Sequence, residues 1–296
     1  MKNKIFLLSL IFFSIKIFPS FEELLNKLDF YEDSLQTRID STLLSDYKEK
    51  TVDYMVNTLK SSNWYFKTIS IRVLKKVKDK DLLLSKLFQE NVERIFVMRI
   101  FEDDTIDPYK DLDFDDLKPY EYQTYISYIE KRKKFDTLVN ILQEENNDYL
   151  TVKILQSLNG ICLKDTFYRG NILNYKNLFE KLVERGNIRL NKSLSVIFAN
   201  FFSDSLNIIF NEKILKDVPT SSLYIESATL SGKKVEIGKI EKFYNGFRTK
   251  DFYYLDYNVK NYFEKFSTEE LKKIKENLAN ESLKCIIEEI LGEKDE

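Results

Sequence analysis

The segment NWYFKTISIRVLKKVKD, residues 63–79, carries two periodicities that predict different secondary structures. Ile69, Ile71 and Val73 alternate with Ser70 and Arg72, which is the pattern of a half-buried strand. The same stretch has the stripe of an amphipathic helix, at spacings of +3, +7 and +11, in Phe66, Ile69, Val73 and Val77. The fold class depends on whether this segment forms a strand or a helix.

Internal repetition favours the helix. An apolar stripe with helical spacing recurs in YLTVKILQSLNGI and in RLNKSLSVIFANF, where it begins at Leu150 and Leu190. The three starts, at 66, 150 and 190, differ by 84 and 40 residues, which correspond to about two units and one unit of roughly 42 residues. We therefore predict a helix whose stripe lies in the core. Its charged side chains are then expected to face water: Lys67, Arg72, Lys75 and Lys76.

A repeat of this length with two helices per unit is typical of HEAT and armadillo proteins. Six residues follow, in register, the second-helix pattern V-R-x-x-A-x-x-A-L-G-x-I-x-D of bacterial HEAT repeats: Phe66, Lys67, Val73, Leu74, Val77 and Asp79. The chain thus resembles the HEAT-repeat family, with tetratricopeptide repeats as the near alternative. The resemblance implies an all-α fold, an α-solenoid of antiparallel helix pairs with a period of about 40 residues. It also implies a single domain over residues 21–292.

Composition supports long helices and excludes several kinds of chemistry. Gly (7) and Pro (4), which break helices, are scarce in the 296 residues. The 46 basic and 48 acidic residues balance, so no nucleic-acid partner is predicted. The chain has no histidine, which excludes Ser-His-Asp and Cys-His catalysis and histidine metal ligands. We accordingly expect a protein that is not an enzyme.

The two cysteines predict no metal centre. Cys162 and Cys285 lie in the apolar stretches LNGICL and SLKCIIEEI, and both are predicted to be small buried side chains. Two thiols are too few ligands for a zinc or iron–sulfur site in a chain without histidine. No cofactor and no metal are predicted.

An acidic segment, residues 101–119, is predicted to be an exposed loop between helical units. Asp111, Asp113 and Asp115 occupy positions 1, 3 and 5 of a calcium-binding EF-hand loop. Asp116 replaces the glycine required at position 6, and Tyr122 replaces the glutamate required at position 12. The pattern therefore indicates a solvated acidic loop.

The N-terminus, MKNKIFLLSLIFFSIKIFPS, has the pattern of a secretory signal. Lys2 and Lys4 precede an apolar run from Ile5 to Ile15, which is too short to span a bilayer. We predict a signal peptide at residues 1–20 and an exported, periplasmic or envelope-associated chain with no membrane span after cleavage. Removal of this segment loses three lysines and no acids, which changes the formal net charge from −2 to −5.

Aromatic residues are concentrated in the C-terminal part, residues 243–266. Tyrosine is common at binding hot spots, and cationic side chains can lie over ring faces. The sequence leaves open whether these rings fill the core or form a surface. The predicted binding residues are Phe247, Arg248, Phe252, Tyr253, Tyr254 and Tyr257.

Two functions are consistent with these patterns. The first is a non-enzymatic periplasmic or envelope scaffold that binds a protein partner through a helical-repeat surface. The alternative is a module that binds or cleaves cell-wall glycan through the tyrosine-rich C-terminal surface. In that case Glu226, which opens a short match to the Glu-Ser pair of soluble lytic transglycosylases, would be a general acid.

Overall fold

A computed structural model of the protein describes the backbone of residues 19–211, 214–246 and 252–295, and the side chains of these residues apart from 252–254 and 295. The regular structure in these ranges is helical throughout, without a strand, which confirms the all-α class. None of these helices is long and apolar enough to cross a bilayer. The predicted signal peptide lies outside the described residues, except for Pro19 and Ser20.

The chain divides into two compact units, Met1–Tyr128 and Ile129–Glu296. The predicted single repeat domain over residues 21–292 stays a prediction. Unit 1 contains α1 (Phe21–Leu25), α2 (Ser34–Asp46), α3 (Lys48–Thr58), α4 (Trp64–Lys75), α5 (Lys80–Gln89), α6 (Arg94–Phe101) and the first part of α7 (Tyr122–Lys131). Helix α3 packs against α2, α4 and α5, and α4 also contacts α6. The apolar faces of α3 to α6 form one buried core, which spans residues 52–101. Leu24 of α1 forms a smaller cluster with Ile39 and Leu43 of α2.

Unit 2 contains the remaining helices. They are α8 (Phe135–Glu144), α9 (Asp148–Lys164), α10 (Thr166–Asn171), α11 (Lys176–Glu184), α12 (Ile188–Phe201), α13 (Leu206–Ile209), α14 (Val218–Ser231), α15 (Ile237–Gly246), α16 (Phe252–Phe263), α17 (Thr268–Asn277) and α18 (Glu281–Asp295). Within this unit α9 contacts α12, α12 contacts α14, α14 contacts α16, and α16 contacts α18. These helices begin at positions 148, 188, 218, 252 and 281 of the sequence, so the spacing shortens after the first pair. The predicted repeat period therefore fits the first pair only.

The ambiguous segment is the helix α4, as its recurrence predicted. Its N-cap is Asn63, whose side chain accepts a hydrogen bond from the backbone N–H of Tyr65 at 2.9 Å. The other two stripes begin in the same way, since Asn147 caps α9 and Asn187 caps α12. In all three copies the asparagine cap precedes the first apolar residue of the stripe by the same number of residues. The spacing of the apolar residues alone did not reveal this shared cap.

The predicted orientation of α4 needs two corrections. Ile69, Val73 and Val77 are buried as expected, but Phe66 is 47% exposed, whereas its counterparts Leu150 and Leu190 are buried. The Phe66 ring lies in the first turn of α4 and packs against the Tyr65 ring, with 5.5 Å between their centroids, instead of entering the core.

The prediction that all four charged side chains of α4 face water is wrong for Lys67 and Arg72. Lys67 is buried, with its Nζ 4.6 Å from the centre of the Phe96 ring. Arg72 is 11% exposed and pairs with Asp40, which is fully buried. Helix α4 contacts both α3 and α6, and Arg72 also reaches Asp40 of α2, so part of the polar face of α4 lies between helices.

Residues in the left-handed region of backbone conformation mark two of the connections. Lys133 has a φ of 53° between α7 and α8. Gly186, with a φ of 60°, follows α11.

The acidic segment 101–119 is less exposed than predicted. Phe101 and Leu117 are buried, and Ile106 and Tyr109 pack against the core of unit 1. Most of its carboxylates are exposed as expected.

Candidate functional site

The structure tests only part of the predicted C-terminal binding site. Phe247 and Arg248 lie outside the described residues, as do the side chains of residues 252–254 in α16. Tyr257 is 59% exposed, as a binding residue requires. Of the neighbouring rings, Phe243, Tyr262 and Phe263 are buried in the core. The described part of this cluster is therefore mainly core, with Tyr257 as its exposed member.

Unit 1 carries a group of exposed aromatic side chains that the sequence analysis did not identify. They are Phe30 (47% exposed), Tyr31 (75%), Tyr65 (42%) and Phe66 (47%). The centroid of the Phe30 ring lies 5.7 Å from that of Tyr31 and 6.2 Å from that of Tyr65, and Tyr65 contacts Phe66. We call these four residues the aromatic surface. Their contacts make one continuous apolar patch from two segments that are distant in sequence.

A network of polar side chains holds the loop that carries Phe30 and Tyr31. The Arg72 guanidinium donates to the carbonyl oxygen of Asp29 at 2.6 Å. The buried Gln36 side chain donates to the carbonyl of Lys27 and accepts from the N–H of Asp29, each at 2.9 Å. The Tyr65 hydroxyl donates to the Asp29 carboxylate at 2.9 Å, which raises the pKa of Tyr65. The exposed rings therefore stand on a loop whose backbone is fixed by several hydrogen bonds.

Arg72 also forms an ion pair with the buried carboxylate of Asp40. Arg72 donates from Nε and Nη2 to the two carboxylate oxygens of Asp40, each at 3.1 Å. Lys76 adds a contact of 2.9 Å to Asp40 and one of 2.7 Å to Glu32. The bidentate pairing of Arg72 with Asp40 holds the guanidinium in a single orientation. Through Arg72, the core of unit 1 is connected to the loop under the aromatic surface.

Unit 2 contains a second candidate site, a cavity of about 380 Å³ between α12, α14 and α16. Residues at helical spacing on one face of each helix line it. Its polar lining includes Asn191, Lys192, Ser222, Glu226, Asn258 and Asn261. The exposed side chains at its edge are Ile188, Leu230 and Tyr257. The structure thus brings together Glu226 and Tyr257, which the sequence analysis considered for the alternative function.

Two of these asparagines also form hydrogen bonds to backbone carbonyls of α14. Asn191 donates from Nδ2 to the carbonyl of Pro219 at 2.7 Å, and Asn258 donates to the carbonyl of Ser222 at 3.5 Å. Within the described part of the chain, the buried Ser222 hydroxyl has no hydrogen-bond partner. Leaving such a group unpaired costs about 1–3 kcal/mol.

Burial raises the pKa of the Glu226 carboxyl, although a hydrogen bond from Ser195 and the charge of Lys192 oppose the shift. The folded protein therefore retains this proton at pH values where the unfolded chain, with a carboxyl pKa near 4.3, has lost it. Stability contributed by the protonated form is complete below about pH 4.3 and is lost as the pH rises through the folded-state pKa.

We expect the Glu226→Gln variant to lose this part of the pH dependence. Its free energy of unfolding, measured by urea denaturation between about pH 4 and 7, falls less with rising pH than that of the wild type. Glu184→Gln, at an exposed glutamate of the same unit, controls for the removal of one negative charge. An identical pH profile for Glu226→Gln and wild type would contradict the assignment.

In the described ranges no three cysteine or acidic side chains are grouped so that they could hold a metal ion. Cys162 is buried as predicted, and burial raises the pKa of its thiol to about 12, which suppresses the reactive thiolate. The prediction that Cys285 is buried is wrong, because its side chain points away from the buried face formed by Leu283, Ile287 and Ile290. Asp113 accepts a hydrogen bond from the N–H of Asp115 and caps a short 3-10 helix, Phe114–Asp116.

Comparisons of the chain with protein-family models, with curated proteins and with solved structures give no match. The observed helices agree with a helical repeat, and membership of a HEAT-like family stays a prediction.

Proposed function

We propose that this chain is an exported, non-enzymatic scaffold that binds a protein partner, and that the aromatic surface of unit 1 is its docking site. The observation that carries the proposal is the exposure of Phe30, Tyr31, Tyr65 and Phe66 in one ring-contacting patch. In this proposal the helices form a solenoid of antiparallel pairs, and the patch is part of the surface that the repeats present.

Exposed rings in mutual contact are costly for a soluble protein unless a partner covers them. Contiguous apolar patches rimmed by polar residues mark interaction sites, and aromatic residues dominate binding hot spots. The position of Phe66 supports this function, because the equivalent residues in the other two stripes, Leu150 and Leu190, are buried. At this position the first copy of the stripe exposes a large ring, whereas the other two copies bury their residue in the core.

The fixed backbone beneath the rings supports the same function. Arg72, Gln36 and Tyr65 all hold the loop around Asp29. A loop that is already ordered loses little conformational entropy when a partner binds, which raises affinity.

The charges around the rings indicate the chemistry of the partner. The loop sequence is DFYED, residues 29–33, so Phe30 and Tyr31 are flanked by three carboxylates. Lys76 pairs with Glu32, and Asp33 caps α2. Asp29 and Asp33 have no ion pair among the described residues, so charge complementarity favours a partner segment that presents apolar side chains next to lysine or arginine.

The proposal can be tested with a photoreactive phenylalanine analogue placed at Tyr31 in cells of the native host. We expect a discrete adduct with one other protein. The same analogue at Tyr149 or Phe167, which are 64% and 67% exposed in unit 2, serves as the matched control and gives no such adduct. No adduct at residue 31, or an adduct of the chain with itself, would overturn the proposal.

Purified components then test the role of the rings. Phe30→Ala and Phe66→Ala are each expected to weaken binding of the captured protein at least tenfold, about 1.4 kcal/mol. Tyr149→Ala is expected to leave the affinity unchanged. Equal affinities for all variants would show that the partner binds elsewhere.

A further inference from the structure

The cavity between α12, α14 and α16 is a second site, and its chemistry differs from that of the aromatic surface. Its volume of about 380 Å³ is within the range of small-ligand pockets. All its described lining residues belong to unit 2, whereas the proposed docking surface belongs to unit 1.

The polar groups of this cavity include several hydrogen-bond acceptors that the fold leaves available. A backbone carbonyl can only accept, so the amide nitrogens of Asn191 and Asn258 are directed at the carbonyls of Pro219 and Ser222. The amide oxygens of both side chains remain to accept from a ligand. Glu226 contributes carboxyl oxygens to the same lining. Together with the donors of Lys192 and Asn261, this set favours a ligand that both donates and accepts hydrogen bonds.

The charges of the cavity argue against a cationic ligand. Lys192 lines the same space as Glu226, and its charge acts on the Glu226 carboxyl. An ammonium ligand would be repelled by Lys192, whereas a neutral ligand with hydroxyl groups can accept from Lys192 and donate to the asparagine and glutamate oxygens.

The edge of the cavity is apolar. Tyr257, Leu230 and Ile188 line it and are 59%, 52% and 40% exposed. A ligand that fits both regions has a C–H face for this edge and polar groups on its rim. Sugar rings have this distribution of groups, with hydroxyls around a ring whose faces carry C–H bonds.

We infer that the cavity lined by Asn191, Glu226, Asn258 and Tyr257 binds a neutral saccharide residue, with the ring against Tyr257 and the hydroxyls toward the asparagines and Glu226. Among the described residues that line the cavity, Glu226 carries the single carboxyl group, whereas glycoside hydrolysis ordinarily uses two. We therefore expect binding of the sugar without cleavage.

The test is isothermal titration calorimetry of the full-length chain with maltotriose and with the trimer of N-acetylglucosamine. Spermidine and N-acetylated, amidated trialanine represent cationic and peptide ligands. We expect saturable binding of at least one saccharide, with a dissociation constant on the order of 1 mM, and no saturation by the other two probes. Binding of spermidine or of the peptide in preference to both sugars would overturn the inference, and so would the absence of any saccharide binding.

Variants show whether bound sugar occupies this cavity. Tyr257→Ala and Asn261→Ala are each expected to weaken saccharide binding at least fivefold, while Tyr149→Ala, at another exposed tyrosine of unit 2, leaves it unchanged. Saturation-transfer NMR with wild type, in which Tyr257 ring protons transfer magnetisation to the sugar, provides a readout that is independent of folding. Unchanged affinity in both cavity variants would place the sugar elsewhere and contradict the inference.

Discussion

Replacement of Arg72 by methionine is expected to lower the free energy of unfolding by about 3 kcal/mol. The Arg72 side chain is 11% exposed and its partner Asp40 is fully buried, so the variant leaves a buried carboxylate with only Lys76 as a cationic partner. The remaining contact with Lys76 places the loss at the lower end of the range for a broken buried ion pair. Fluorescence of Trp64, the single tryptophan of the chain, follows urea unfolding of unit 1.

A double variant separates the cost of an unpaired charge from the net contribution of the pair. Replacing Asp40 by leucine together with Arg72 by methionine removes both charges, and buried ion pairs replaced in this way by apolar residues often lose no stability. We expect the double variant to be more stable than Arg72→Met alone. A loss below about 1 kcal/mol for Arg72→Met would mean that the pair behaves like an exposed one.

Arg72→Met also links stability to the proposed docking site. The guanidinium donates to the carbonyl of Asp29 under the aromatic surface, so its removal leaves the loop that carries Phe30 and Tyr31 held at Asp29 by fewer hydrogen bonds, those of Gln36 and Tyr65. We expect weaker partner binding even under conditions where the variant is fully folded, because the loop must then be ordered on binding.

The second large effect is expected in the aromatic core of unit 2. The Phe198 ring is fully buried and contacts three other rings, with centroid distances of 5.2 Å to Phe210, 5.8 Å to Phe202 and 6.5 Å to Phe179. Phe198→Ala removes most of this side chain from a packed environment, which costs about 3–5 kcal/mol. The loss can be measured by urea denaturation followed by circular dichroism.

Phe167→Ala is the matched control for this variant. Phe167 belongs to the same unit but is 67% exposed, so its truncation is expected to change the free energy of unfolding by no more than about 0.5 kcal/mol. Similar losses for the two variants would contradict the assignment of Phe198 to the core.

Local sequence determined much of the helical structure. The Asn caps at residues 63, 147 and 187 and the apolar stripes after them act within one or two helical turns, so they can be identified without knowledge of neighbours. The break at Lys133 and the glycine at residue 186 are local signals of the same kind.

The sites were harder to predict, because they consist of residues distant in sequence. A polar residue at a helical position has the same local pattern whether it faces water, a buried partner or a cavity. Asn191 and Asn258 line the same cavity only because α12 and α16 both pack on α14. A partial signal was present, since polar residues such as Asn191, Ser195, Ser222 and Glu226 interrupt apolar faces at helical spacing.

The segment at residues 63–79 shows which features follow from local sequence and which depend on tertiary packing. Its sequence alone determined a helix, because periodicity and capping are properties of the segment itself. Only the tertiary structure decided that Phe66 is exposed beside Tyr65, that Lys67 lies against an aromatic ring, and that Arg72 meets a buried carboxylate. Burial and pairing depend on which helices pack around the segment, and these come from elsewhere in the chain.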